Sequence, residues 1–113
     1  MTFLEECCLL RILIGENIQH KSKPLYEWLV VKARESGLAG ATVTKGIMGF
    51  GANSRIHTSK ILRLSEDLPV IIEIVDSKEN LEAFLWEVDS VIEVGLATLE
   101  KADVRFYRHK GAR

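Results

Sequence analysis

The chain has 113 residues, 47% of them hydrophobic and 27% charged, with a formal net charge of −1. This length fits one core and one domain, and the balance excludes a chain too polar to fold. A charge so close to zero supplies no whole-protein attraction to nucleic acid or anionic lipid, and no apolar run reaches the ~18 residues of a membrane span.

Cys7 to Ile14 is a short apolar run broken only by Arg11 and closed by Gly15 and Asn17, the pattern of a buried strand. Glu5 and Glu6 precede it instead of a basic segment, so the N-terminus is not expected to be a signal peptide. Cys7 and Cys8 are adjacent and point to opposite faces of a strand, which makes them a poor disulfide pair. With no metal-site spacing around them, they read as apolar strand residues of a cytoplasmic protein.

A polar stretch from Glu16 to Lys23 follows. Pro24 suits the first turn of a helix, where its missing N–H costs nothing. Leu25, Trp28, Leu29 and Val31 keep a helical period, with Lys32 and Arg34 outside and Gly37 as the stop. The first helix is expected over residues 23–36. Ala41 to Met48, rich in β-branched residues, predicts the second strand.

Gly51 to Asp67 is long and polar for so small a domain, and such segments are commonly functional. Pro69 opens the third strand, Val70 to Val75. Asp76 and Ser77 offer N-caps, and Glu79 complements the dipole of a second helix over residues 78–92. Leu99 to Tyr107 reads as the last strand, with Ala102, Val104 and Phe106 on one face. His109 to Arg113 is a basic tail.

The order βαββαβ predicts an α+β, ferredoxin-like sandwich, an antiparallel sheet with both helices on one face. Strands one and three are apolar at nearly every residue, as strands buried on both sides are. Two helices cover one side only, so the other side is expected to be covered by self-association, with a trimer as the simplest closed ring. Glu73, between Ile72 and Ile74, is expected to meet a cation of a neighbouring subunit. No Ser-His-Asp set, phosphate-binding loop or paired acid and base carboxylates appears, so an enzyme is not expected. His57 beside Thr58 is a polar-loop histidine with no partner fixed by spacing, and His20 and His109 do not build a zinc site.

Gly37-Leu-Ala-Gly40-Ala-Thr-Val-Thr44, then Gly49-Phe-Gly51, His57-Thr58 and Leu68-Pro-Val-Ile-Ile-Glu-Ile-Val75 resemble the PII signalling superfamily. The stretch from Gly51 to Asp76, with Ser65-Glu-Asp-Leu-Pro69 inside it, is similar to its PII-like branch in particular. The resemblance implies a homotrimer with inward-facing sheets and an adenine nucleotide (AMP, ADP or ATP) in the clefts between subunits. It implies that the loop at about residues 52–68 docks on a partner protein, such as a membrane transporter. The residues it places at the nucleotide are Gly40, Thr42, Val43, Gly49, Phe50, Gly51, Asn53, Val75, Asp76, Gly95 and Arg105. Arg55, His57, Lys60 and Arg63 belong to the partner-binding loop.

The chain departs from the family in three places. Ala52 and Asn53 stand where PII proteins carry an Arg and a Gln after Gly-Phe-Gly. The stretch Glu93-Val-Gly95-Leu-Ala-Thr98 has one Gly and no Lys where they grip phosphates, and the loop lacks the Tyr that some members modify. Fewer phosphate charges favour AMP or ADP over ATP; Arg55, Lys60, Arg63, Arg105, Arg108 and Lys110 are candidate substitute cations. The alternative is a structural or interaction trimer without nucleotide, like the metal-tolerance proteins of the same fold.

Overall fold

The structure, a computed structural model, describes residues 5–51, 56–58 and 67–110. Strand β1 (Cys7–Gly15) is followed by a two-residue hairpin, β2 (Gln19–His20) and β3 (Lys23–Pro24), then helix α1 (Leu25–Glu35). Strand β4 (Thr42–Lys45) leads to a small pair, β5 (Met48–Gly49) and β6 (His57–Thr58). Strand β7 (Pro69–Ser77), helix α2 (Lys78–Val88) and strand β8 (Leu96–Ala102) complete the order. The main sheet runs β4-β7-β1-β8, antiparallel at every junction. This is the ferredoxin-like topology the sequence predicted.

The core lies between the helices and one face of the sheet. Leu10, Ile12 and Ile14 of β1 and Val70, Ile72 and Ile74 of β7 point into it. Leu25, Leu29 and Ala33 of α1, spaced four apart, and Leu81, Phe84 and Val88 of α2, spaced three and four apart, close over them. Full burial of a side chain of this size contributes about 1.5–3 kcal/mol. Burial in β1 and β7 alternates rather than being complete on both faces, because among the described residues both helices lie on one face and no element covers the other.

Helix α1 ends as its sequence dictates. Gly37 takes φ 79°, its N–H donates to the Arg34 carbonyl at 3.1 Å, and the Leu38 N–H donates to Ala33 at 3.2 Å. Pro24 caps the other end instead of occupying the first turn, with φ −55° and ψ 132°.

Four boundaries differ from expectation. The second strand is shorter: the Gly46 N–H still donates to the Pro69 carbonyl in register at 2.7 Å, but Pro69 has no N–H to return the bond, so the ladder closes at Lys45. Helix α2 stops at Val88, whose carbonyl accepts from both Val91 and Ile92 in a tight turn. The last strand begins three residues early, at Leu96, and ends at Ala102, opposite Cys7. Beyond Cys7 the ladder on β1 ends, so Val104 and Phe106 have no partner there; Phe106 instead lies under the Arg108 guanidinium at 4.3 Å. The polar stretch after Glu16 holds the hairpin, whose turn residues Lys21 and Ser22 take φ 52° and 65°.

Candidate functional site

The predicted nucleotide residues fall at the two ends of β4. Three residue steps at about 3.3 Å each separate Thr42 from Lys45, so the two groups stand about 10 Å apart along the strand.

At the first end, Gly40 and Thr42 approach the end of β7, where Thr42 faces Glu73 and Val75 and Asp76 follow. Asp76 is 1% exposed. Its Oδ2 accepts from the Ala39 N–H at 2.7 Å; its Oδ1 accepts from the Ser77 N–H at 2.7 Å and from the Asn80 side-chain amide at 3.0 Å. The Ser77 hydroxyl caps α2 through the Asn80 N–H at 3.1 Å. Asp76 therefore ties the Gly37–Gly40 turn to the start of α2, its oxygens committed to internal donors rather than presented to a cleft. On the other side of that turn, the Tyr107 hydroxyl donates to the Ala39 carbonyl at 2.9 Å. The turn is thus held by both of its central peptide groups, and the segment carrying Arg105 and Arg108 is fastened beside it. Arg105 itself pairs with Asp103 at 3.3 Å.

Strand alternation separates two residues that the sequence placed together. Thr42 shares the open face with Glu73, whereas Val43 faces Ile72 and lies on the helix side.

At the second end, β5 pairs with β6, Gly49 opposite His57 and Met48 opposite Thr58, so the segment after β4 and the stretch ahead of β7 share a short neck. Several bonds fix its base. The Asn17 N–H donates to Asp67 Oδ1 at 2.9 Å, the Glu16 N–H to the Leu68 carbonyl at 3.0 Å, and Lys45 Nζ lies 3.0 Å from Glu16. The neck carries apolar side chains turned outward: Ile47 is 75% exposed, Phe50 70%, Ile56 59%. Gly95 lies at this end of the sheet. Its φ is 154°, and a Cβ there would stand 2.9 Å from the Leu13 carbonyl and 2.8 Å from Ile14, so close packing on β1 accounts for the glycine. Asn53, Arg55, Lys60 and Arg63 lie outside the described residues, and for His57 only the backbone pairing is described.

The open face of the sheet carries a cluster that sequence reasoning missed. Arg11 donates from Nε at 3.0 Å and from Nη2 at 2.9 Å to Glu73 Oε2, and Nη1 reaches Glu100 at 3.4 Å. Glu73 finds a cation inside its own chain, because the β1–β7 register sets Arg11 directly opposite it. Half-buried Leu9, Leu13 and Ile71 and the exposed Val75 and Leu96 surround the pair. The one signal in the sequence was a cation in the middle of an apolar strand with an acid in the middle of another.

Cys7 lies on this face beside the end of β7. Burial, then the carboxylates of Asp76 and Glu5, push its thiol above its ordinary value and keep it protonated. Among the described residues no group of His, Cys, Asp or Glu is arranged to hold a metal ion, and no helix is long and apolar enough to cross a membrane.

This two-layer α+β sandwich, an antiparallel sheet with both helices on one face, is a fold shared with solved PII-like proteins. The chain belongs to the DUF190 family, Uncharacterized ACR, whose model matches residues 7–104. It is 41% identical to a UPF0166 protein of Aquifex aeolicus (strain VF5) over 96 residues, which are 85% of this chain and 90% of that relative. Among solved structures it is similar to CPII, a nitrogen regulatory PII-like protein from Thiomonas intermedia K12 bound to ADP, AMP and bicarbonate. The TM-score is 0.65 at 18% identity, over 86% of each chain. It is also similar to the divalent ion tolerance protein CutA1 from Ehrlichia chaffeensis, with a TM-score of 0.64 at 8% identity over 91% of this chain and 87% of that one.

Proposed function

We propose that this protein is a cytoplasmic PII-like regulator, not an enzyme. Three copies close around their open sheet faces, an adenine nucleotide binds in the clefts between them, and the segment at about 52–68 controls a partner protein, such as a transporter. The observation that carries the reading is the open face, where Leu9, Leu13 and Ile71 are only half-buried and Val75 and Leu96 are exposed among the described residues. Burying such a surface against copies of itself is the simplest way to remove it from water.

The likeness to a PII-like protein holding ADP and AMP supports the nucleotide. Gly40, Thr42 and Val75 at one end of β4, and Gly49, Phe50 and Gly51 at the other, are the proposed contacts, together with Gly95, Arg105 and, from the sequence alone, Asn53. Asp76 acts indirectly, by fixing the Gly37–Gly40 turn. Control requires that nucleotide bind more tightly to one arrangement of the 52–68 segment than to the other.

Calorimetry with AMP, ADP and ATP, beside light scattering for mass, tests both parts. Micromolar or tighter binding to a particle of three chains is expected, AMP or ADP ahead of ATP. The equally good fold match to CutA1 favours a second reading, an interaction trimer without nucleotide. A trimer giving no heat and no thermal shift with any nucleotide supports that second reading; a lone subunit at high concentration refutes both.

A further inference from the structure

Helix α2 buries Leu81, Phe84 and Val88 and turns the opposite side to solvent. Two residues on from Phe84, about 200° around the helix, stands Trp86, 84% exposed. An indole this open is uncommon, because it is the largest apolar side chain and gains the most from cover. Beside it lies a surface recess of about 580 Å³ lined by Glu82, Leu85, Trp86, Asp89 and Ser90.

The electrostatics of this recess are one-sided. Glu82 and Asp89 stand one turn before and one turn after Trp86, and among the described residues neither makes an ion pair. The last turn of α2 has no basic residue, whereas α1 ends with Lys32 and Arg34. The negative end of the α2 dipole therefore adds to the two carboxylates, where a cation is the stabilising complement. Glu87, on the α1 side, is already matched by Lys32 at 3.5 Å.

We propose that this face docks a basic segment of a partner protein, seating an Arg or Lys side chain over Trp86 between Glu82 and Asp89. An aromatic face and two carboxylates around one recess are the set that binds a guanidinium or ammonium by cation–π and charge-assisted contact. The same charges repel a nucleotide or an anionic membrane. The surface lies across the helix layer from the open sheet face, so the inference stands apart from the nucleotide reading.

The test uses the full chain and a fluorescein-labelled nine-residue arginine–alanine peptide, with lysine–alanine and glutamate–alanine versions as controls. Saturable binding of the arginine peptide, weaker binding of the lysine one and none of the glutamate one are expected, with affinity falling as salt rises. Trp86→Ala weakens binding tenfold or more, and the double reversal Glu82→Lys with Asp89→Lys does the same, while Trp86→Phe keeps most of it. All these side chains are exposed, so melting temperatures stay unchanged and loss of folding is not confused with loss of binding. Absence of binding at low salt overturns the proposal. So does equal binding by the Trp86→Ala variant, or a change in the mass of the protein itself on that substitution, which makes the face a contact between copies.

Discussion

Replacing Asp76 by Ala separates a structural role from a binding role most sharply. The substitution strips one acceptor group from three donors: the Ala39 N–H, the Ser77 N–H and the Asn80 side-chain amide. A buried donor left without a partner costs about 1–3 kcal/mol. Two of the three contacts are only partly buried, so water replaces some of the lost bonding and the low end applies. The sum is about 3 kcal/mol on that basis. At roughly 2.1 cal/mol/K per residue, a domain of this size has an unfolding entropy near 0.24 kcal/mol/K, and the melting temperature drops by about 13 °C. Asp76→Asn keeps the shape and one acceptor but turns an amide toward donors, and loses about half as much. Thermal and urea unfolding of the three proteins measure this. An Ala variant within about 1 kcal/mol of the parent refutes the reasoning. So does an Asn variant of full stability that no longer binds nucleotide, which would place the carboxylate at the ligand.

Other outcomes follow from the same geometry. Lys21→Asn with Ser22→Gly gives the β2–β3 turn the residues that accept φ values of 52° and 65°, and raises stability by about 1–2 kcal/mol in a urea titration. Gly95→Ala sets a Cβ 2.9 Å from the Leu13 carbonyl at a φ of 154°; a loss of about 2 kcal/mol or more and faster amide exchange at the β1–β8 junction are expected. The Cys7 thiol, raised in the folded state, contributes stability that is complete below its ordinary value of 9.0 and is lost as pH climbs through the folded value. The melting temperature of the parent therefore falls more steeply above pH 9.0 than that of Cys7→Ala, and iodoacetamide labels Cys7 slowly in the native protein at pH 8.

Local chemistry made much of the fold legible in the sequence. The apolar period from Leu25, with Pro24 ahead and Gly37 behind, defines α1 to within a residue or two, because caps and periodicity act over one or two turns. The apolar run after Pro69 and the cap at Ser77 do the same for β7 and the start of α2. Where a strand ends, in contrast, is decided by its neighbour. β8 spans Leu96–Ala102 because that is the stretch of β1 it can pair with, and no propensity within residues 96–107 encodes the length of β1. The working parts of the candidate site belong to the same class. Arg11 meets Glu73 across 62 positions of chain, Asp76 meets Ala39 across 37, and Tyr107 meets Ala39 across 68. Thr42 and Val43, neighbours in sequence, were driven to opposite faces by the pleat. Sequence alone determined the elements and their order, since those rest on interactions between near neighbours. Tertiary structure alone decided which polar groups are used up inside and which remain free, because a hydrogen bond is settled by distance in space.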